Sequence, residues 1–326
     1  MKIVFMGTPD FAAQALEALI EAGHEVAAVV TQPDKPRGRS GELKFSPVKE
    51  CALRHGIFVF QPERIKRPEA VETLKSFAAD IFIVAAYGQI LSQEILDMPQ
   101  FGCVNIHASL LPKYRGASPI QHAIIRGEKT TGITIMQMDA GVDTGDMLYQ
   151  RELPISHEDT FETLHDKLKV LGGEAVVQAL DLLEKGELFP KKQAEEESSY
   201  APLIDKKMGC IDFGKSACEI DRLIRGMTPW PSAYTFYHGK QLKIWKAIPK
   251  GPDGAFQGSD SASREPGGAA YAPGEIVKVE KDHISVATGQ GFLEVYELQL
   301  EGKKRMQARD FLLGVRMKPG ERLGQE

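Results

Sequence analysis

The sequence predicts an α/β protein in which a doubly wound, mostly parallel sheet is followed by a small, OB-like β-barrel. Through the first two hundred residues, short apolar runs alternate with helix-like segments. The runs are apolar on both faces, which is typical of parallel strands covered by helices on both sides. Beyond residue 205 the chain changes to brief segments of alternating polarity separated by turns, the pattern of a small antiparallel barrel.

Strand and helix signals follow one another from the N-terminus. Residues 3–7 form an apolar run, and residues 9–22 have apolar side chains at helical spacing, with Gly23 where a helix would end. The later signals, in chain order, are the strand VAAVVT, the helix PVKECALRH, the strand FVF, the helix EAVETLKSFAA, the strands IFIVAAYG and VNIHAS, and a long helix over 158–184. Because helices separate the strands, we expect a parallel sheet with its ligand sites at the carboxyl ends of the strands.

The composition changes after residue 188. Residues 189–206 are polar, charged and interrupted by prolines, which predicts a linker between a first domain over 1–188 and a second over 207–326. The second domain begins with the helix-like CEIDRLIRGM and continues with the strands AYTFYH, LKIWKA, GEIVKV, HISVAT and FLEVYELQL. Of the 25 residues in 249–273, 17 are Gly, Pro, Ser or Ala, so we expect a flexible loop inside the barrel.

Composition and charge limit the classes of function. The chain has 42% hydrophobic and 26% charged residues, no apolar run of membrane-spanning length and no signal-peptide pattern, so we expect a cytoplasmic protein. Its four cysteines are scattered without zinc-ligand spacing, and no structural metal or disulfide framework is predicted.

The charge is unevenly distributed along the chain. The net charge is −5, yet residues 205–326 carry 19 Lys and Arg against 16 Asp and Glu, or +3, which leaves −8 on the first 204 residues. An acidic body with a mildly basic C-terminal part suits a polyanion that docks at one end only. Ordinary surface variation explains the same difference.

Three polar residues form the candidate site. Asn105 and His107 are two positions apart in a predicted strand, so both side chains face the same side. Downstream, the glycine-rich MQMDAGVDTGDML carries Asp143 between Gly141 and Gly145. Such a set can stabilise an oxyanion and transfer a proton, although a core histidine satisfied by a carboxylate is the alternative. Dinucleotide binding is not predicted, because GTPDFA has one of the three glycines of the nucleotide-binding fingerprint.

The motifs NIHASLLPKYRG and MDAGVDTGD, together with FMGTPDFA, VAAYGQIL, TGITIMQMD, PWP and KIWKA, resemble those of the folate-dependent formyltransferases. The resemblance implies a Rossmann-like catalytic domain that transfers the formyl group of 10-formyltetrahydrofolate to an amine without a metal. The sequence is similar in particular to the members that act on charged initiator methionyl-tRNA. We therefore expect this tRNA and folate as its partners, a monomeric enzyme and no membrane association.

The resemblance also implies roles for individual residues. Asn105 would stabilise the oxyanion, His107 would transfer a proton, and Asp143 would orient His107 or an ordered water. The folate site would be lined by the segment after His107 and by the end of the IFIVAAYG strand. The residues implied are Ser109, Leu110, Leu111, Pro112, Val84, Tyr87 and Gly88. Leu110 and Leu111 are equally suited to a core.

Two basic regions are candidates for tRNA contacts. The loop TQPDKPRGRSGELKFSP carries Lys35, Arg37, Arg39 and Lys44, and Arg39 matches the loop arginine that the family presents to the acceptor stem. The segment GKKRMQARD carries Lys303, Lys304, Arg305 and Arg309, and Lys206 with Lys207 would extend the basic surface. A solvated surface loop is the alternative for the first region.

Three other functions fit part of the pattern. A formyltransferase acting on a small amine, such as a nucleotide sugar or glycinamide ribonucleotide, would keep the same three residues and lack the basic barrel. A hydrolase would release formate from the same folate, with water in place of the amine. A non-catalytic RNA-binding module would not need Asn105, His107 and Asp143 together.

Overall fold

The computed structural model describes residues 1–37, 42–251 and 271–324. The predicted flexible loop therefore lies mostly outside the described residues. The chain divides into two compact units. Unit 1 comprises Met1–Pro119, Thr130–Pro154 and Leu164–Pro202, and unit 2 comprises Ile120–Lys129, Ile155–Thr163 and Leu203–Glu326. Among the described residues no helix combines the length and apolar character needed to cross a membrane.

The first part of the chain forms strands and helices in alternation. The strands are β1 (Lys2–Gly7), β2 (Glu25–Val30), β3 (Lys35–Arg37), β4 (Glu42–Lys44), β5 (Val59–Phe60), β6 (Ile81–Ala85), β7 (Cys103–His107), β8 (Thr130–Gln137) and β9 (Met147–Pro154). The helices are α1 (Asp10–Glu21), α2 (Pro47–Arg54), α3 (Pro68–Ser76), α4 (Gln93–Leu96), α5 (Pro119–Arg126) and α6 (Phe161–Glu184).

Seven of these strands form one sheet in the order β5-β2-β1-β6-β7-β8-β9. The strands from β5 to β7 are parallel, whereas β8 and β9 run antiparallel to their neighbours. The expected doubly wound, mostly parallel sheet is confirmed. The antiparallel strand β9 was not predicted, because it lies at the edge and alternates between half-buried and exposed positions.

The core of unit 1 lies against both faces of the central strands. Every residue of β6 is buried, and so is β1 beyond its first residue. Helices α1 and α6 approach each other closely, because α6 has Gly173 at the contact, where a Cβ atom would lie 3.0 Å from Ala18 Cβ. These buried strands fix the positions of the loops that follow them.

Unit 2 is built on an antiparallel sheet. Its strands are β10 (Ala233–Tyr237), β11 (Lys240–Lys250), β12 (Ile276–Val279), β13 (Ile284–Ala287), β14 (Phe292–Leu300) and β15 (Met306–Gln307). Its further helices are α7 (Ala217–Met227), which begins with a capping box between Ser216 and Glu219, and α8 (Ala308–Gly314). The sheet order is β10-β11-β14-β13-β12, with β15 paired to β14.

The C-terminal segment connects the two edges of this sheet. Leu323 N donates to Gly274 O just before β12, and Gly324 N donates to Phe236 O in β10, both at 2.8–2.9 Å. The open edges are thereby covered, as the expected small barrel requires. Alternate strand residues point inward to a core that includes Leu242, Ile284 and Val295.

Two short segments from the first half of the chain belong to unit 2. Arg225 of α7 donates from Nη1 to Asp159 O at 2.9 Å and forms an ion pair with Asp221. Gly226 lets α7 approach α5, since a Cβ there would lie 2.6 Å from Ile125 Cγ1. Residues 191–201, part of the predicted linker, lie within unit 1 and hydrogen-bond to its residues near positions 115 and 147.

Candidate active site

Strand β7 brings Asn105 and His107 to the carboxyl end of the unit 1 sheet. Asn105 pairs in register with Val84 of β6 and Met136 of β8, and His107 is the last residue of the strand. Asn105 is half-buried, whereas His107 is 5% exposed. Because strand side chains alternate, both polar heads face the same side of the sheet.

Asp143 reaches these two residues from the loop between β8 and β9. Its Oδ2 lies 3.5 Å from His107 Nδ1 and accepts a hydrogen bond from Gly116 N at 2.8 Å. Its Oδ1 lies 3.4 Å from Asn105 Nδ2. Asp143 thus contacts both of the residues that the sequence selected from the other motif.

The backbone at Asp143 adopts an uncommon conformation. Its φ is +54°, in the left-handed region that side chains other than glycine rarely adopt. The neighbouring Gly145 is required by space, because a Cβ there would lie 1.9 Å from Gln137 O. Such strain persists only where the surroundings over-determine it, and it points to a functional position.

His107 has an acceptor at each ring nitrogen. Nε2 lies 2.9 Å from the carbonyl oxygen of Tyr114, which can only accept, so Nε2 carries a proton. Nδ1 faces the Asp143 carboxylate. Nδ1 can therefore take up a further proton that the Asp143 carboxylate would share.

The turn after His107 contains the first group of predicted folate contacts. Ser109 is fully buried and donates from Oγ to Lys113 O at 2.7 Å. Leu111 is buried in a small cluster with Met136 and Met147. Leu110 and Pro112 are half-buried. Ser109 and Leu111 therefore shape the turn from inside, and of the four predicted contacts Leu110 and Pro112 are the ones with accessible surface.

The end of β6 contains the second group of predicted folate contacts. Val84 and Tyr87 are 5% and 2% exposed, with their side chains in the core. Burial raises the pKa of Tyr87, and its hydroxyl has no hydrogen-bond partner among the described residues. Gly88 and its neighbour Ala86 are exposed with φ of +84° and +45°. This segment thus offers backbone groups rather than side chains.

Two residues of the site were missed in the sequence. Gln193 donates from Nε2 to Asp143 O at 2.9 Å and to Gly145 O at 2.7 Å. Arg115 is 7% exposed and donates from Nε to Gln193 Oε1 at 2.9 Å. Gln193 lies in a polar stretch whose composition resembles a linker, and the sequence carries no signal that sets it apart.

The basic loop of unit 1 contains a hairpin of its own. Strands β3 and β4 pair antiparallel, with Lys35 directly opposite Lys44, and both lysines are exposed. Arg37 belongs to β3, but its side chain is outside the described part of the chain. Arg39 lies outside the described residues altogether.

The basic residues of unit 2 differ in their surroundings. Lys206, Lys207, Lys303, Lys304 and Arg309 are exposed. Arg305 instead forms a two-pronged ion pair with Glu297 at 2.7 and 2.8 Å, and its guanidinium carbon lies 4.5 Å from the centre of the Trp245 ring. The hydrogen bond and ion pair with Glu297 raise the pKa of Arg305. The charge of Arg305 is thus partly neutralised by Glu297 within unit 2.

Two clusters within the described ranges have ligand atoms close enough for a metal, Glu17 with Cys51 and His55, and Asp10 with His165 and Asp166. In the first, the Glu17 carboxylate accepts from Cys51, His55 and Arg54. Burial and the Glu17 hydrogen bond raise the pKa of Cys51 to about 12, so its thiolate is not supplied at neutral pH. Hydrogen bonding within the protein accounts for this cluster without a metal.

Comparison with known proteins gives matches along the whole chain. Residues 1–180 match the family model described as Formyl transferase, and residues 203–316 match Formyl transferase, C-terminal domain. Proteins named Methionyl-tRNA formyltransferase from Lachnospira eligens and Agathobacter rectalis are each 50% identical, over 100% and 98% of both chains. An N-formyltransferase from Helicobacter canadensis, solved with folinic acid and dTDP-3-aminofucose, is 20% identical with a TM-score of 0.64, covering 90% of this chain and 98% of its own.

Proposed function

The chain belongs to the formyl transferase family, and from this premise we propose that it transfers a formyl group from 10-formyltetrahydrofolate to the α-amino group of methionyl initiator tRNA. The formyl donor is a tetrahydrofolate derivative, and it supplies a one-carbon group already activated on a nitrogen. The observation that supports this substrate is a sequence identity of 45–50% with proteins named Methionyl-tRNA formyltransferase, which extends through both family domains.

The residues at the end of β6 fit the donor. Ala86 and Gly88 are exposed and have left-handed backbone conformations just beyond the end of the strand. Peptide N–H and C=O groups suit a pterin, whose edge carries both donors and acceptors. Val84 and Tyr87 would hold this segment in place from the core, and Leu110 and Pro112 would line the opposite wall.

Asn105 is proposed to stabilise the charge that develops on the formyl oxygen. Its Nδ2 carries two hydrogens, and the contact to Asp143 Oδ1 is long at 3.4 Å, so the amide is available to a stronger acceptor. A pre-positioned donor of this kind typically contributes about 100-fold to 1,000-fold in rate. Asn105 is half-buried, so the substrate can reach its amide.

The His107–Asp143 pair is proposed to receive the proton of the attacking amine and to return it to the departing folate nitrogen. An α-amine has a pKa of about 7.7, so a useful fraction is already neutral near pH 7 and attack needs no strong base. His107 is held by Tyr114 O on one side and by Asp143 on the other. The imidazolium formed by this transfer would also stabilise the negative charge near Asn105.

The tRNA is proposed to contact the basic hairpin of unit 1 and the exposed lysines of unit 2. Residues 1–188 would form the catalytic domain and 207–326 the tRNA-binding domain, with 189–206 between them. Lys35, Lys44, Lys303 and Lys304 are exposed and suit phosphate contacts. We propose that the enzyme works as a monomer in the cytoplasm, where charged initiator tRNA is used.

Transfer of a radiolabelled formyl group tests this function directly. We expect label from 10-formyltetrahydrofolate on methionyl initiator tRNA, and none on free methionine or uncharged tRNA. A hydrolase would release formate without tRNA, so formate release in the absence of tRNA is measured in parallel. Equal transfer to a small amine and to charged tRNA would contradict the proposed substrate.

A further inference from the structure

We propose that Gln193 is a positioning residue for formyl transfer, which fixes Asp143 beside His107 by holding the backbone of the loop that carries it. This inference rests on the proposed function for its kinetic test, and on unit 1 alone for its structural test. Gln193 lies outside both family-model matches, which end at residue 180 and resume at residue 203. Its part of the chain has the composition of a linker.

The contacts of Gln193 define the orientation of its amide. Oε1 accepts from Arg115 Nε at 2.9 Å, and a guanidinium can only donate. Nε2 must therefore be the atom that faces Asp143 O at 2.9 Å and Gly145 O at 2.7 Å. All three contacts have good hydrogen-bond distances, so the amide joins two loops that are distant in sequence.

The position of these two carbonyl groups explains why the contacts matter. Asp143 has a φ of +54°, and it precedes Gly145 by two residues. An isolated residue in this conformation relaxes unless its neighbours hold it. Gln193 holds the carbonyl of Asp143 and the carbonyl two residues later, so the direction of the carboxylate toward His107 depends on it.

The same segment also holds the other side of His107. Ser199 Oγ accepts from Tyr114 N at 2.9 Å, and the Tyr114 carbonyl faces His107 Nε2. Arg115 is fixed by backbone hydrogen bonds with Ser199 and Ala201. Residues 193–201 therefore support both acceptors that flank the imidazole, one through Gln193 and one through Ser199.

Arg115 strengthens this arrangement through its burial. Its side chain is 9% exposed, and Nη1 lies 2.9 Å from Glu195 Oε2, whose own side chain is 78% exposed. A buried guanidinium needs its donors satisfied, and Gln193 supplies the neutral acceptor for Nε. Arg115 thus fixes the Gln193 amide through Oε1, while Nε2 of the same amide donates to the backbone carbonyl of Asp143.

The test compares Gln193→Glu and Gln193→Met with the control Glu196→Gln. Glu keeps the shape and the contact with Arg115 but places an oxygen against two carbonyl oxygens. Met keeps the length and removes both polar atoms. Glu196 is exposed in the same segment. We expect kcat to fall at least tenfold in both Gln193 variants, with KM for folate and for charged tRNA within twofold of the parent.

A second measurement separates positioning from stability and from the proposed function. In protein labelled with ¹⁵N-histidine, the ring resonances of His107, identified with His107→Ala, should shift in both Gln193 variants and stay in place in Glu196→Gln. This readout needs no substrate, so it remains informative if the parent does not formylate tRNA. Unchanged His107 resonances, or a parent-like kcat in folded Gln193→Met, would overturn the proposal.

Discussion

Asp143 Oδ2 stands 3.5 Å from His107 Nδ1, and the two side chains are 17% and 6% exposed. The carboxylate comes from a loop and the imidazole from the end of a buried strand, so their distance depends on how the loop is held. A carboxylate at this distance attracts any positive charge that the ring gains during proton transfer. The charge, and not only the shape, of Asp143 should therefore matter.

Asp143→Asn is expected to reduce kcat by about 100-fold or more. The amide is nearly isosteric, yet it carries no charge and places either a donor or a neutral acceptor beside His107 Nδ1. Steady-state formylation across pH 6 to 9 measures the effect. A wild-type rate throughout this range would mean that Asp143 has only a structural role in the loop between β8 and β9.

Asn105→Ala is expected to lower kcat by about 100-fold to 1,000-fold while the KM for the folate changes little. In the proposed mechanism the amide stabilises charge that exists only in the transition state, so its loss should affect turnover more than binding. His107→Ala should lower kcat by at least about 100-fold as well. Near-normal turnover in either folded variant would remove that residue from the mechanism.

The fold was predictable because local patterns determine it, and similar patterns marked Asn105, His107 and Asp143 as a candidate site. Central strands such as β6 are apolar throughout, and Asn105 and His107 face one side because strand side chains alternate with period two. Asp143 was recognisable from the glycines around it, since close backbone approach at Gly145 excludes any side chain. Each of these signals lies within a few residues of sequence.

The remaining features depend on contacts between distant segments. Gln193 donates a hydrogen bond to Asp143, which lies 50 residues earlier in the sequence, and no local pattern distinguishes Gln193 from the neighbouring glutamates. Likewise α5 and residues 155–163 join unit 2 through contacts with α7 that periodicity does not encode. A chain ending near Lys192 would lose Gln193 and Ser199, so point variants test the two units better than truncation.

Lys35→Ala/Lys44→Ala is expected to raise the KM for charged tRNA at least severalfold and to leave folate binding unchanged. These exposed lysines are directly opposed on neighbouring strands, where like charges repel unless an anion lies between them. The slope of log KM against log salt should decrease by about 1 to 2, as two phosphate contacts require. The control Lys66→Ala/Lys185→Ala removes two exposed lysines elsewhere in unit 1. An equal effect in the control would assign the change to net charge alone.

In unit 2, Lys303→Ala/Lys304→Ala and Arg305→Ala should have different effects. The lysines are exposed, so their loss should weaken tRNA binding without changing the free energy of unfolding. Arg305 contacts Glu297 and the Trp245 ring, so its loss should lower the stability of unit 2 by about 0.5–1 kcal/mol. Both tryptophans lie in unit 2, and their fluorescence during urea unfolding measures this. Identical stability in the two variants would contradict the distinction.

Glu17→Gln is expected to destabilise the α1–α2 region at neutral pH and much less in acid. Burial opposes ionisation of Glu17, but hydrogen bonds from Cys51, His55 and Arg54 outweigh it and lower the pKa of the carboxyl from its ordinary value. The carboxylate therefore contributes stability above the unfolded pKa of about 4.3, and this contribution disappears as the pH falls through the lower folded pKa.

Because Glu17→Gln removes hydrogen bonds to a charged group, the loss of stability at pH 7 should be about 1–2 kcal/mol. Since tryptophan fluorescence does not report on unit 1, pulsed hydrogen exchange of the α1 and α2 peptides along a urea series is the suitable measurement. Glu21→Gln, on the exposed end of the same helix, is the control and should show no such pH dependence. A constant difference between Glu17→Gln and the parent from pH 7 to pH 3 would show that these donors do not depend on the charge of Glu17.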